Sequence, residues 1–338
     1  MSVSSFIATT GSGLSRATHT DSGAWQVETL LADQEVRCLA ADPLEYGVVY
    51  AGTHGQGVLR SDDGGTTWRP AGLGGHIGKA LAVSQAEPGV VYAGTTPPML
   101  FVSRDGGAHW AELEAFRRVR AFWWFSPADG RPFTPYVQGI ALSPTDPQLL
   151  LVGIELGAVV RSLDGGQTWQ GHRKGALRDC HTLISHASQG DWFYEAGAGG
   201  AAFSCDGGKT CQHPREGFDR RYGWAVAADP ARPEVWYVSA SPSFASWTQP
   251  VPAAHVDGQA NASIFRKIGA GRWQKLGGGL PQPLDYMAYA LLTDPHAPGH
   301  LYAGLSNGEV WYSADYGDAW QKLPFSLGGI HRTMIALA

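Results

Sequence analysis

Side chains that could carry acid–base chemistry lie at several separated places in the chain. Asp179 and His181 stand two residues apart, so in a strand their side chains would point the same way. Hydrolysis of a glycosidic bond needs two carboxylates roughly 5 to 10 Å apart, whereas elimination needs a tyrosine or histidine base and a cation that neutralises a uronate. The candidate catalytic residues are Glu155, Asp179, His181, Tyr222 and Asp285.

A second set of side chains could hold a ligand. Arginine and histidine suit anions, and exposed aromatic rings suit the C–H faces of sugars. The predicted binding residues are Arg37, His76, Arg220, Arg221, Tyr286, His331, Arg332, Trp123 and Trp124. A divalent metal is a further option if the fold brings imidazoles together, with His54, His76, His181 and His331 as its ligands, although no tight spacing such as H-x-H supports it. No other cofactor is predicted.

A repeated string, S-x-D-x-G-x-x-W, indicates how these residues are positioned. Complete copies occupy residues 61–68, 103–110, 162–169 and 313–320, and the copy at 204–211 has Cys211 in place of the tryptophan. Neighbouring copies lie roughly 40 to 60 residues apart, which is the length of a unit of four strands. One interval is about twice as long. A repeat of this kind predicts the architecture before any single residue is interpreted.

Each copy ends a unit of four short runs rich in Val, Leu, Ile and Tyr, separated by Asp-Pro, Gly or Asp-Gly turns. Such runs predict antiparallel strands joined by hairpins. Six units run from about Val36 to Leu323, and the fifth lacks the aspartate of its turn. The N-terminal segment matches the last three strands of a seventh unit, and HRTMIALA at the C-terminus matches its first strand. We predict an all-β fold, a seven-bladed β-propeller of four-stranded antiparallel blades in one domain (residues 1–338), closed by pairing of the terminal strands.

On these boxes and their spacing, the chain resembles the BNR/Asp-box propeller superfamily over essentially its whole length. That superfamily includes sialidases, xyloglucan-active glycoside hydrolases, sortilin-type receptors and photosystem II assembly factors, so the resemblance does not select one activity. It implies that the Asp-box turns lie on the face opposite the ligand site. Arg37, Arg221 and Arg332 could form the arginine set of a sialidase. The sialidase Arg-Ile-Pro motif is missing, however, and sialidases have six blades, so that activity is disfavoured.

The box aspartates are predicted to be structural. An aspartate can close a tight turn by accepting hydrogen bonds from backbone N–H groups two or more residues further on. The glycines permit positive φ, and the tryptophan can pack between neighbouring units. We therefore do not expect Asp63, Asp105, Asp164, Asp206 or Asp315 to be catalytic.

Chain order assigns the loops of such a ring to two faces. One face carries the Asp-box turns, and the other carries the loops before each innermost strand together with the links between second and third strands. Most candidate residues fall on this second face, as do two insertions at residues 114–136 and 241–261. Long loops in compact domains are usually functional, so we expect the site here. The aromatic run 122–125 could line it or could instead plug the channel.

Bulk composition excludes several classes of protein. The net charge is −5 with 16% charged residues, so the basic stripe of a nucleic-acid-binding protein is missing. No apolar run reaches membrane-spanning length, and no secretory signal is recognised, which predicts a cytoplasmic location. Four cysteines do not form a disulfide framework. A local Cys205–Cys211 bridge stays open, and Cys38 and Cys180 are expected to be buried.

Together these features predict a carbohydrate-active protein, a glycoside hydrolase or polysaccharide lyase with an oligosaccharide or other small-molecule ligand in the central channel. The alternative is a non-catalytic binding or assembly scaffold similar to the photosystem II assembly factors. In that case the arginines would dock a protein partner, and no carboxylate pair would be needed.

Overall fold

The computed structural model of the chain describes residues 3–119, 135–243 and 252–337. Trp123, Trp124 and part of the second insertion lie outside the described residues. In the described ranges the fold is all-β, with two short 3-10 helices at Glu114–Arg118 and Ala253–His255. No helix in these ranges has both the length and the apolar character needed to cross a membrane.

The strands follow one another in antiparallel units. The first two units contain β1 (Ser5–Thr9), β2 (Leu14–His19), β3 (Trp25–Leu30), β4 (Val36–Ala41), β5 (Val49–Thr53), β6 (Val58–Ser61) and β7 (Arg69–Pro70). The next three contain β8 (Ile77–Val83), β9 (Val91–Thr96), β10 (Leu100–Ser103), β11 (Ala111–Glu112), β12 (Val137–Leu142), β13 (Leu150–Ile154), β14 (Val159–Ser162), β15 (Asp179–Ser185), β16 (Phe193–Ala198) and β17 (Gly200–Ser204). The last two units contain β18 (Tyr222–Ala228), β19 (Val235–Ser241), β20 (Ser263–Ile268), β21 (Gln274–Lys275), β22 (Ala288–Thr293), β23 (Leu301–Leu305), β24 (Glu309–Ser313) and β25 (Gln321–Ser326). The C-terminal strand β26 (Met334–Leu337) joins the first unit.

Four of the sheets have four strands, in the orders β26-β1-β2-β3, β4-β5-β6-β7, β8-β9-β10-β11 and β22-β23-β24-β25. The unit β12–β14 has three strands, and a single pairing of Ala198 with Tyr222 joins the units β15–β17 and β18–β21. The second strand of nearly every unit is buried throughout. These strands are buried on both faces because neighbouring sheets pack against them, which explains why they are continuous runs of apolar residues.

The two ends of the chain share one sheet. The C-terminal strand β26 pairs antiparallel with β1, with Ser5 opposite Leu337 and Ala8 opposite Met334. The first strands of successive units also contact one another in the cyclic order β4, β8, β12, β15, β18, β22, β26 and back to β4. These are the strands that the sequence predicts as the first of each unit.

The Asp-box turns have the predicted hydrogen bonds. Asp63 Oδ1 accepts from the backbone N–H groups of Thr66 (3.0 Å) and Thr67 (2.8 Å) and from the Ser61 hydroxyl (2.8 Å). The serine hydroxyl in turn accepts from the Gly65 N–H at 2.8 Å. The same pattern recurs around Asp105, Asp164, Asp206 and Asp315. The structural role predicted for these aspartates is confirmed.

Replacing Asp63 with alanine is expected to lower the free energy of unfolding by about 1 kcal/mol, because the turn loses charge-assisted hydrogen bonds that solvent partly screens. These hydrogen bonds, led by those from the Thr67 hydroxyl and backbone, lower the pKa of Asp63 to about 2. The wild-type contribution is therefore present above the ordinary pKa near 4 and is lost as the pH falls toward 2. Urea unfolding at pH 7 and pH 2.5 measures both effects.

The neighbouring substitution Asp62→Ala is the matched control. Asp62 forms surface ion pairs with Arg60 (2.6 Å) and Arg69 (3.0 Å), and such pairs contribute about 0 to 1 kcal/mol. An Asp63→Ala protein no less stable than the Asp62→Ala protein would contradict the turn-closing role.

The cysteines are free thiols. Cys38 and Cys180 are buried, as the sequence predicts, whereas Cys205 is exposed and Cys211 is half-buried. The Cys205–Cys211 bridge that the sequence left open is not formed. Burial raises the pKa of the Cys38 thiol to about 12, so this thiol is unreactive at neutral pH.

Candidate functional site

A β-bulge recurs near the start of the innermost strands. In six units the register to the second strand slips at this point. In the unit formed by β26 and β1–β3, the Thr9 N–H donates to the Thr333 carbonyl, and the Thr9 carbonyl accepts from the His331 N–H. Arg332 lies between these two partners and takes no part in either bond. Bulges re-aim side chains beside functional sites. The residues at this position form a set that we call the bulge ring: Arg37, Lys79, Gln138, His181, Trp224, Tyr289 and Arg332.

The bulge ring lines a cavity of about 270 Å³ between the innermost strands. Three cations line one side: Arg332 lies two residues before β26, and Arg37 and Lys79 lie on β4 and β8, whose contacts follow in the same order. We call them the cationic arc. On the adjacent strands β15, β18 and β22 stand His181, Trp224 and Tyr289, the aromatic arc. The cavity therefore has a positive side and a side of flat rings.

Gln138 connects the two sides. Its Nε2 donates to the carbonyl of His181 at 3.0 Å, and its Oε1 accepts from Arg332 Nη1 at 3.4 Å. The two bonds link the Arg332 guanidinium to Gln138 on β12 and, through Gln138, to the backbone of His181 on β15.

A buried carboxyl group lies beneath the cationic arc. The Tyr136 hydroxyl donates to Glu155 Oε2, and Lys79 Nζ lies 4.0 Å from the centre of the Tyr136 ring. Burial raises the pKa of Glu155, although the positive charges of His181 and Arg332 and the Tyr136 hydrogen bond oppose the change. Glu155 is only 7% exposed, and its carboxyl group is covered by the Tyr136 hydroxyl.

Asp179 and His181 are neighbours, as their spacing predicts. His181 Nε2 lies 3.5 Å from Asp179 Oδ2, and its Nδ1 lies 2.7 Å from the Gly223 carbonyl. Burial disfavours the charged imidazole, but the Asp179 and Glu155 carboxyl groups and the Gly223 carbonyl outweigh it and raise the pKa of His181. His181 therefore adds positive charge to the cavity at mildly acidic pH.

Tyr222, His255 and Tyr289 form a hydrogen-bonded chain. Tyr289 donates its hydroxyl hydrogen to the Ala254 carbonyl at 3.0 Å, so its oxygen accepts from His255 Nδ1 at 2.7 Å. The other ring nitrogen, Nε2, then accepts from the Tyr222 hydroxyl at 2.8 Å. Partial burial and the nearby charges of His181, Arg332 and His331 lower the pKa of His255 to about 4, so the ring is neutral and its Nε2 accepts the hydrogen bond from Tyr222.

Two further groups lie at the rim of the cavity. Glu35 Oε2 bonds both Arg37 Nη2 at 2.8 Å and His54 Nδ1 at 2.5 Å. The His331 ring packs near Gly11, and partial burial with the charges of Arg332, Arg37 and Lys79 lowers its pKa to about 4. These contacts hold Arg37 at the edge of the cationic arc.

Other predicted site residues lie elsewhere. Arg220 bonds the backbone and side chain of Asn261, Arg221 and Asp285 are exposed, and Tyr286 packs partly into the core. The His76 ring contacts Phe101 at 5.0 Å between centroids. None of these five side chains lines the central cavity in the described structure. Glu155 and Asp179 meet around His181, so Asp285 is separated from the other two candidate carboxylates.

The four histidines predicted as metal ligands are not gathered together. His54 is bonded to Glu35, His76 lies against Phe101, and His181 is bonded to Asp179 and Gly223. Across residues 3–119, 135–243 and 252–337, no group of three His, Cys, Asp or Glu side chains is placed to hold a metal ion. The metal option stays an untested prediction.

Three residues of the site were not singled out by sequence reasoning. Tyr136, Trp224 and Tyr289 are 1%, 6% and 8% exposed and read as ordinary core aromatics. One signal was available, because Trp224 stands two residues after Tyr222 in the same strand, as His181 stands two after Asp179.

Comparison with solved structures identifies the fold. An ancestral GH74 enzyme aligns with a TM-score of 0.64 and 18% identity, covering 85% of this chain and 38% of that chain. YCF48 from Cyanidioschyzon merolae aligns with a TM-score of 0.56 and 13% identity over 87% and 86% of the two chains. YCF48 bound to D1 peptide aligns with a TM-score of 0.55 and 14% identity over 86% and 83%.

These likenesses define a β-propeller-like protein, and at such identities they establish the fold alone. The chain spans less than two fifths of the GH74 enzyme. A comparison with protein families gives no match, and a comparison with curated protein sequences also gives none. The function must therefore be argued from the site itself.

Proposed function

We propose that the protein is a seven-bladed propeller that binds uronate-containing oligosaccharides in its central cavity and cleaves them by β-elimination. Blade count and closure are supported by the pairing of β26 with β1 and by the cyclic contacts of the seven innermost strands. Closure removes free sheet edges. It also gives every blade one residue in the bulge ring.

The observation that carries the ligand class is the two-sided cavity. Three adjacent blades supply Arg332, Arg37 and Lys79, and three others supply His181, Trp224 and Tyr289. A sugar carboxylate pairs with guanidinium and ammonium groups, while the C–H face of its ring packs on indole and phenol.

Tyr222 and His255 are the proton-transfer groups. In β-elimination the Tyr222 oxygen takes the proton from C5 of the uronate, and the Tyr222 proton moves to His255 Nε2. The C5–H electron pair forms the C4–C5 double bond, the C4–O bond breaks, and the departing oxygen takes back a proton from the same pair. Burial lowers the pKa of His255 most, and nearby positive charges add to the effect. The bound carboxylate would offset those charges, which makes His255 a better base when substrate is present.

Hydrolysis is supported less well by the geometry. A hydrolase needs two carboxylates on opposite sides of the scissile bond, but Glu155 and Asp179 both lie beside His181. Glu155 is also buried under the Tyr136 hydroxyl. Elimination needs no carboxylate pair, and it would use the Tyr222 phenol and the His255 imidazole, which lie beside the cavity-lining residues Trp224 and Tyr289.

Incubation with a panel of uronate oligosaccharides tests the proposal. Oligogalacturonate, oligoguluronate and a glucuronate-containing xylan fragment would each yield an unsaturated uronate, which absorbs in the ultraviolet. We expect the ultraviolet absorbance to rise with the wild-type protein and to stay unchanged with the Tyr222→Phe protein. A panel with neither turnover nor binding would sink the proposal.

The second candidate is a non-catalytic scaffold. The YCF48 likeness extends over most of both chains, and Arg221 is exposed at the rim beside Arg220. In this reading the rim arginines dock a protein partner. Protein capture that requires Arg220 and Arg221, with no response to any uronate, would favour the scaffold over the enzyme.

A further inference from the structure

A second cavity lies on the Asp-box side of the molecule, between the unit β15–β17 and the unit β18–β21. It has a volume of about 410 Å³, in the lower part of the range for small-molecule sites. Its walls come from the β15–β16 link, the segment after the fourth Asp-box and the turn after β20. It shares no lining residue with the central cavity.

The cavity lies where the unit β15–β17 lacks an arginine contact that two other units make. In the unit β4–β7, Arg60 lies opposite Tyr50 and donates to the Gly106 carbonyl of the next box turn at 2.9 Å. In the unit β18–β21, Arg266 lies opposite Tyr237 and reaches the Tyr316 carbonyl in the same way, also at 2.9 Å. In the unit β15–β17 the residue opposite Tyr194 is Phe203, whose ring cannot make that bond.

The facing turn has changed as well. Lys267 lies opposite Trp236, just as the box serine Ser204 lies opposite Phe193. The Lys267 ammonium donates to the carbonyls of Gly269 and Gly271, whereas a box aspartate accepts from N–H groups. This turn is one residue shorter than the regular boxes, so it leaves space that a regular Asp-box would fill.

Flat aromatic rings and polar groups line the space. Trp192 and Phe203 are stacked with centroids 5.8 Å apart and planes 17° apart, and Trp236 lies 5.7 Å from Phe203. Gln212, His213 and Glu234 contribute an amide, an imidazole and a carboxylate to the walls. Glu234 already pairs with Arg232 at 3.1 Å, and the Lys267 ammonium donates to two carbonyls, so both charged groups of the site have partners within the protein.

We propose that this cavity binds one neutral pyranose unit of an oligosaccharide, with the sugar ring packed on Trp192 and Phe203. An apolar platform edged by hydrogen-bonding groups suits a ring with C–H faces and equatorial hydroxyls. The site is separate from the uronate site and does not depend on cleavage there.

Calorimetric titration with cellotetraose, maltotetraose and mannotetraose tests this site. Phe203→Arg restores the arginine found in other units and fills the cavity, and Trp192→Ala removes the half-buried platform. Saturable binding of at least one tetrasaccharide, weakened about tenfold or more by both substitutions, is the expected result. Tyr46→Ala, at an aromatic residue that is 79% exposed elsewhere, should leave binding unchanged.

Two outcomes overturn the proposal: none of the three sugars binds, or binding survives both Trp192→Ala and Phe203→Arg in proteins with wild-type thermal unfolding. An Arg332→Gln variant separates the two sites. It should lose uronate binding and keep neutral tetrasaccharide binding, so a failure at one site does not count against the other.

Discussion

Replacing Tyr222 with phenylalanine is expected to lower kcat for uronate elimination by about a hundredfold or more, because the substitution removes the oxygen that accepts the C5 proton. KM should change little, since the phenyl ring keeps its contacts with His181 and Trp224, whose centroids lie 4.6 and 6.1 Å away. Steady-state rates measured from the ultraviolet absorbance of the product give both constants.

Tyr286→Phe is the matched control for this prediction. Tyr286 was also a predicted site residue and, like Tyr222, packs partly into the core, but it is not a member of the Tyr222–His255–Tyr289 chain. If Tyr222→Phe and Tyr286→Phe keep similar kcat values, the assignment of Tyr222 as proton acceptor is wrong.

Replacing Glu195 with glutamine is expected to stabilise the protein at alkaline pH by about 4 kcal/mol. Glu195 is 2% exposed, and its Oε1 accepts from the Leu177 N–H. Burial raises its pKa to about 8, against the smaller opposing effect of that hydrogen bond. Glutamine keeps an acceptor oxygen in the same place and carries no charge to bury.

The sign of the pH dependence follows from this pKa. Below about pH 4.5 the carboxyl is protonated in both the folded and the unfolded chain, so it has its full stabilising effect there. Between about 4.5 and 8 only the unfolded chain ionises, and wild-type stability falls by about 1.4 kcal/mol per pH unit from this group. Chemical unfolding from pH 5 to pH 8.5 should show a stability difference between variant and wild type that grows with pH.

Glu114→Gln, at an exposed position of the first 3-10 helix, is the control for this series. Its free energy of unfolding should change with pH in the same way as that of the wild type. A Glu195→Gln curve that also runs parallel to wild type would mean that Glu195 is ionised in the folded protein.

The strands and turns were predictable because their signals are local. The Asp63 turn needs only residues 61–68 to form, and the apolar runs of β5 and β9 reflect burial that any sheet sandwiched between others would impose. The pairing of β26 with β1 was predictable because the missing first strand of one unit reappears at the other end of the chain.

The site was predictable only where polar residues interrupt a buried strand. Arg37 and His181 stand out for that reason, and the bulge turns both of them into the cavity. The same polarity rule also selected Arg221 and Asp285, which are exposed at the rim.

The rule did not find the aromatic residues Trp224 and Tyr289 of the cavity. Trp224 and Tyr289 resemble core residues in sequence, and only the register slips that let them line the cavity distinguish them. A bulge depends on pairing with a distant strand and leaves little local signal. The hydrogen-bond partners of His255 could not be predicted from the sequence either, because Tyr222 and Tyr289 belong to different units.

The central claim is that the cavity recognises an anionic sugar, and one calorimetric comparison tests it most directly. The Tyr222→Phe protein, which should bind without cleaving, is titrated with a uronate tetrasaccharide and with the same tetrasaccharide after its carboxyl groups are reduced to alcohols. Binding of the acidic form at least tenfold tighter, with the difference shrinking as salt is added, is the predicted result. Equal affinity for the two forms, or no binding of either, would contradict the account.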